Sequence, residues 1–405
     1  MSFGTLASLR AVALRRQGAI LRVIYSLTLV AVVSVTFSVF LSSVAMGSAI
    51  VLWLTLLIAG GKEAFPATPL DRYFLFYLSA EALATIFSVE PGASLFNMKR
   101  FFLISFVYLG LLAMTDLRRL RSAVAALVCV AVILSCVEIF TLSSFGGHYA
   151  RLSLFQHSLT EGGIKLIVLL FIIPFMIRSE TPRAWRLGAA AAGIPLFVGL
   201  ILTQSRSSWL GLVGGVLAIG MLQNRKIIIL LVLVIVLFAL FAPADFQSRA
   251  LSIFDPAMPS NLSRIHMMTT GWKMFLDRPV FGVGDIDLKR IYVTYITPIE
   301  EGEGGHLHNN LMMLLVTLGI GGAAATAALF VQIFLTELRA VRATRHDWML
   351  GSLTIGSLAA YVGFHINGLF EWNFGDHEIA VLLWFTVGAA LVAQKIAAEP
   401  GETAS

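Results

Sequence analysis

Twelve apolar stretches of spanning length follow one another along the chain, near residues 23–41, 44–60, 73–89, 101–115, 122–142, 160–177, 187–203, 207–222, 226–243, 307–335, 348–368 and 376–394. Lipid offers no water to backbone N–H and C=O groups, so a stretch that enters it must close its own hydrogen bonds as a helix. The spacing predicts an all-α, polytopic fold of about twelve transmembrane helices in a single transmembrane domain over residues 1–405. Of the 405 residues 58% are hydrophobic and 13% charged, against about 25% charged in soluble domains. Composition therefore excludes a cytosolic role and leaves transport or chemistry on a lipid-borne substrate.

The net charge of +6 could suggest nucleic acid. The placement of the charges suggests topology instead. With the N-terminus inside, the short cytoplasmic segments hold Arg10, Arg15, Arg16, Arg22, Lys62 and Arg72, then Arg118-Arg119-Leu120-Arg121, Arg178, Arg183, Arg186, Arg225 and Lys226, then Arg339, Arg342, Arg345 and Lys395. That pattern obeys the positive-inside rule. It predicts two cytoplasmic termini, an uncleaved first helix with a cytoplasmic lead, membrane lipids as surroundings and no nucleic-acid partner. Cys129 and Cys136 would stand about 10 Å apart on one helix, too far for a disulfide. They are expected to be small buried apolar residues.

One polar segment is long. Residues 244–306 form an outer loop between helices nine and ten, too long for an idle connection. Within it Ile265, Met268, Trp272 and Phe275 recur at helical spacing. They predict an amphipathic surface helix over 261–278, capped by Ser260 or Asn261 and stopped by Pro279. Phe281-Gly282-Val283-Gly284 then reads as a turn. The tail from Ala397 to Ser405 is polar.

Polar residues gather at the outer helix ends. His306-Leu307-His308-Asn309-Asn310 stands directly before an apolar run. An imidazole with an unperturbed pKa near 6.5 can exchange a proton there, so His308 is a candidate base and His306 and Asn309 candidate binding residues. The alternative is a histidine that caps a helix. Gln204-Ser205-Arg206-Ser207-Ser208-Trp209 links two helices, and the fork of Arg206 suits phosphate oxygens. Arg206 could equally snorkel to headgroups. Arg264 opens the surface helix as a second phosphate clamp or a solvated charge, while Lys273, Arg278, Lys289 and Arg290 read as solvated. Glu371-Trp372-Asn373-Phe374-Gly375-Asp376-His377-Glu378 suggests a binding rim through Glu371 and Asp376. His157, Glu161 and Lys165, in the segment that starts at Arg151, could line a cavity. Glu81 is an intramembrane acid whose partner the sequence does not name. Gly211-Leu212-Val213-Gly214-Gly215 reads as helix packing.

The sequence contains no glycine-rich nucleotide loop and no His-Glu-x-x-His. Energy for an extracytoplasmic reaction would then arrive with the substrate, as in an activated lipid pyrophosphate.

These residues resemble the O-antigen ligase and O-antigen polymerase superfamily of bacterial membrane glycosyltransferases, the ligases most of all. His308, Asn309, nine intervening residues and Gly319-Ile320-Gly321-Gly322 match the ligase pattern, with Ala323 a mild departure. The Ser-Arg motif at Ser205-Arg206, the stretch from Arg264 through Trp272, Pro279 and Gly282 to Gly284, and Gly368 to Asp376 are similar as well. The similarity covers about 204–378; the first half agrees mainly in hydropathy. The resemblance implies a C-type glycosyltransferase architecture in the bacterial inner membrane, with a periplasmic site and periplasmic loop. It also implies an undecaprenyl-pyrophosphate-linked glycan as donor, neither metal nor cofactor, and catalytic roles for His308, Arg206 and Arg264.

The expectation is an O-antigen ligase that passes the glycan to lipid A–core in lipopolysaccharide biosynthesis. His308 would deprotonate the acceptor, Asn309 would orient the imidazole, and Gln204, His306, Glu371 and Asp376 would contact substrate. The alternatives are an O-antigen or exopolysaccharide polymerase, a protein O-oligosaccharyltransferase, or a transporter, whose charges would lie along a central path.

Overall fold

The computed structural model describes residues 15–60, 64–145, 154–296 and 305–399. The expectations placed on Arg10, Lys62, Arg151, residues 297–304 and residues 400–405 lie outside them. The described residues form helices and no strands. In chain order these are α1 (Gln17–Ser34), α2 (Val39–Gly60), α3 (Asp71–Ile86), α4 (Pro91–Asn97), α5 (Phe101–Ala113), α6 (Leu117–Phe145), α7 (Ser158–Ile177) and α8 (Arg183–Leu202). They continue with α9 (Arg206–Leu222), α10 (Lys226–Phe241), α11 (Ala244–Leu251), α12 (Pro259–Asp277), α13 (Lys289–Tyr292), α14 (Asn310–Thr344), α15 (Trp348–Asn367) and α16 (His377–Ala398).

Apart from residues at their ends, the apolar stretches fall on helical residues, except that the 23–41 stretch runs across the break between α1 and α2. Among the described residues, nine helical segments are long and apolar enough to cross a membrane, α4 and α5 counting as one; α9 and α10 are shorter apolar helices. The sixteen residues of α3 include Asp71, Arg72 and Glu81.

Helices α7, α15 and α16 bury nearly their whole circumference and form the centre of the bundle. Helix α15 packs on α9 and α7, α16 on α5, and α14 on α3. Gly211 permits one of these close contacts: a Cβ there would stand 2.7 Å from the Gly363 carbonyl oxygen. Small residues let helices approach where lipid gives no hydrophobic drive for association. Helix α10 buries only Ile227 and lies at the rim. Cys129 and Cys136 are free and exposed on α6. The expected burial fails because an apolar residue in a spanning helix can face lipid as readily as protein.

Helix α14 is broken near its start. Gly319 adopts φ +64° and ψ −171°, so the helical bonding pattern lapses there. The Ile320 N–H donates to the Pro279 carbonyl at 2.8 Å, while the freed carbonyls of Val316 and Thr317 accept from Val283 N (2.8 Å) and Gly284 N (2.9 Å). The Phe281–Gly284 turn is thus seated in the helix break. Gly282 and Gly284 also have positive φ, and a Cβ on Gly282 would lie 2.5 Å from the Thr317 carbonyl. Only glycine tolerates both demands.

The surface helix exists, with a different start. Pro259 occupies its first turn behind Met258, and neither Ser260 nor Asn261 caps it. Its side toward the bundle buries Met267, Thr270, Gly271 and Met274, while Leu262, Ile265, Met268, Trp272 and Leu276 are exposed. An exposed apolar stripe on a polar helix fits a membrane surface.

Candidate active site

Helix α8 turns into α9 within three residues, and Gln204 makes the reversal with φ +53°. Arg206 follows in the first turn of α9 and is buried. One terminal nitrogen donates to the Ser252 carbonyl (2.7 Å) and hydroxyl (2.8 Å), the other to Ser260 Oγ (2.8 Å) and Asn261 Oδ1 (2.7 Å). Asn261 in turn donates to the Ser252 and Asp255 carbonyls at 2.8 and 2.7 Å. Ser260 and Asn261, expected as caps, instead moor the start of α12 to Arg206. Arg249, on α11, donates to the Gln204 carbonyl at 3.3 Å.

Arg264 lies one turn beyond Asn261 and pairs with Glu371 Oε1. The other oxygen of the same carboxylate, Oε2, lies 2.8 Å from His308 Nδ1. Glu371, expected on a binding rim, is therefore buried between His308 and Arg264. His308 and Gln204 are the only non-glycine residues with positive φ among the described residues, at +47° and +53°. Such backbone strain is held only where surrounding contacts over-determine it. With Glu371 ionised, the imidazole proton resides on Nδ1 and the Nε2 lone pair is free to act as a base.

Asn309 has a different place from the one expected. Its side chain caps α14 by accepting from Met312 N and donates to the Leu369 carbonyl, both at 2.8 Å. Glu371 takes the position beside the imidazole.

A buried amide chain joins the Arg206 turn to the His308 segment. Ser205 and Ser208 hydroxyls lie 2.9 Å apart, Asn367 donates to Ser208 (3.0 Å), Asn373 to Asn367 (2.9 Å), and Asn310 to Asn373 (2.6 Å). Arg206, Arg264, Glu371 and His308 thus share one end of the bundle. None of these asparagines stood out in the sequence as a coupling element. Their spacing has no period, and each looks like an ordinary helix-end amide.

His306 is exposed, with its ring centroid 4.2 Å from that of His308. It lines a cleft of about 480 Å³ together with Arg100, Asp285, Trp372, Asp376 and Glu378. Asp376 caps α16 and accepts from Thr160 at 2.7 Å. A recess of about 30 Å³ shares Arg100, Asp285 and Trp372 with the cleft and is also lined by Tyr77, Glu81 and Trp384. There both Asp285 oxygens accept from Arg100 at 2.9 Å. Burial pushes the Asp285 carboxyl above its ordinary value, against the pull of Arg100. Glu81 lines this recess beside Tyr77, Arg100 and Asp285. Sequence reading missed Arg100, Asp285 and Arg249. The one available signal was Asp285 directly after the Gly-Val-Gly turn.

Glu161 and Lys165 form a buried cluster with Glu138, whose Oε2 lies 2.9 Å from the Lys165 ammonium. None of these three lines the cleft or the recess. Among the described residues, no three His, Cys, Asp or Glu side chains gather so as to hold a metal ion.

The segment that carries Gln204, Arg206, Arg264, His306, His308 and Asn309 is decisive for kinship. Residues 191–327 match the O-antigen ligase family. The match begins in α8, spans the loop and ends in α14 beyond the Gly319 break. It supports a function of the O-antigen ligase or polymerase type, with lipid-linked glycans as the general substrate class. No curated protein matches the chain. Glu371, Asp376, Arg100 and the asparagines 367 and 373 lie outside the O-antigen ligase segment, so their link to it is spatial.

Proposed function

We propose that the protein is an O-antigen ligase acting at the periplasmic face of the bacterial inner membrane, with about twelve spans and both termini cytoplasmic. The donor is a glycan on undecaprenyl pyrophosphate and the acceptor is lipid A–core. One observation carries the reading: a single buried carboxylate, Glu371, contacts His308 and Arg264 together.

The acceptor hydroxyl gives its proton to His308 Nε2, and its oxygen attacks the anomeric carbon. The bond from that carbon to the pyrophosphate oxygen breaks, with inversion. Glu371 stabilises the imidazolium that forms, as a carboxylate does beside a catalytic histidine. Charge develops on the departing pyrophosphate, and Arg206, Arg264 and the positive end of α9 lie on the side suited to meet it. Arg264 already pairs with Glu371, so phosphate binding requires it to share or exchange that partner. The loop over the donor excludes water, which would otherwise hydrolyse it.

The test is transfer by purified protein from lipid-linked glycan to rough lipopolysaccharide. His308→Ala should lose about 10²–10⁴-fold in kcat; full activity would remove the base from the mechanism. In a deletion strain, a ligase leaves lipid-linked polymer and bare core. A single repeat on the core would indicate a polymerase instead.

A further inference from the structure

We propose that the cleft between Arg100, Asp285 and Trp372 is the subsite for the sugar rings of the acceptor. This assignment rests on the glycosyl-transfer reading above and adds to it the place where the acceptor is recognised.

The cleft opens beside His306, whose ring touches that of His308. An acceptor seated there reaches the proposed base without passing the Arg206 side of the site. At about 480 Å³ the cleft falls within the range of small-ligand sites, which is about 300–1,000 Å³.

Its lining selects by chemistry. Four carboxyl groups (Asp285, Asp287, Asp376 and Glu378) stand against one guanidinium, that of Arg100. Such a wall disfavours a pyrophosphate. On the other side of His308 stand Arg206, Arg249 and Arg264, with the Glu371 carboxylate paired to Arg264. The two sides therefore sort a phosphate-bearing donor from a polyhydroxylated acceptor. Carboxyl groups suit ring hydroxyls in either protonation state, accepting when ionised and also donating when neutral. Trp372 supplies an apolar face. Its indole lies over Gly375, where a Cβ would come within 1.9 Å of Nε1, and it borders both the cleft and the recess. An amphipathic aromatic plane between carboxyl groups fits a sugar, with an apolar ring face and polar edges.

The experiment measures KM separately for rough lipopolysaccharide and for lipid-linked glycan with the full-length protein. Trp372→Ala and Asp287→Asn are compared with wild type. Asp287 is exposed, so its variant should fold normally. Trp372→Ala should raise the acceptor KM by about tenfold or more and leave the donor KM nearly unchanged. Asp287→Asn should move the same constant in the same direction by less. Trp372→Phe, which keeps an aromatic plane, should restore most of the acceptor affinity even if the alanine variant folds poorly. Unchanged acceptor KM in Trp372→Phe and Asp287→Asn, with Trp372→Ala also unchanged, would overturn the subsite. A rise confined to the donor KM would overturn it too. Absence of any transfer by wild type would strike the functional reading instead, so the two failures are distinct.

Discussion

His308 Nδ1 and a Glu371 carboxylate oxygen lie 2.8 Å apart although 63 positions separate them in the chain. The contact selects one imidazole tautomer and exposes Nε2 as the basic nitrogen. Glu371→Gln keeps the shape but removes the charge, and its amide can present a donor to Nδ1. We expect kcat to fall by about 10²–10⁴-fold, as when a histidine-orienting carboxylate becomes an amide, with a smaller change in acceptor KM. Steady-state kinetics on purified protein check this. An unchanged kcat would mean that the carboxylate serves only Arg264.

Arg206 holds four bonds to Ser252, Ser260 and Asn261. Lysine keeps the charge but has no planar fork. Arg206→Lys should break at least one of these bonds, at about 1.5–3 kcal/mol for a charge-assisted one. Protease sensitivity around residues 244–264 should rise, together with donor KM. If neither moves, the guanidinium does not moor the loop.

Gly319→Ala places a Cβ 2.3 Å from the Val280 carbonyl oxygen at φ +64°. This positive-φ, extended-ψ backbone, open essentially to glycine alone, costs about 1–3 kcal/mol for alanine, and the overlap adds to it. The unfolding temperature should drop, and the Val283 and Gly284 amides should exchange faster with solvent. Gly321→Ala is the control: its nearest such neighbour is 3.8 Å away, so it should be nearly neutral apart from helix propensity. Equal behaviour of the two variants would refute the seating of the turn in the helix break.

Transfer should survive a chelator. The proposed proton acceptor is an imidazole and the proposed charge-stabilising groups are guanidiniums, so no step needs a Lewis acid. Ligation measured with and without excess EDTA decides it. Loss of activity, restored by one added divalent ion, would require a metal in the mechanism.

Hydropathy alone located the helices, because a backbone in lipid must satisfy itself within its own segment, and that requirement is local. Local chemistry also marked His308, Arg206 and Arg264 as unusual polar groups at helix ends. It marked Phe281-Gly282-Val283-Gly284 as a turn, while the helix break at Gly319 that receives it came only from the tertiary structure. What those residues touch was decided by the tertiary structure. Glu371 reads in sequence as one acid in a polar loop, and only packing sets its two oxygens on a histidine and an arginine. Asn309 reads as a partner for the imidazole and is a helix cap. Arg100 and Asp285 are 185 positions apart, and no periodicity joins them. Which side of an apolar helix faces protein was equally closed to sequence, as exposed Cys129 and Cys136 show. Lipid and protein interior are alike in polarity, so the pattern that separates core from surface in water carries no such contrast here.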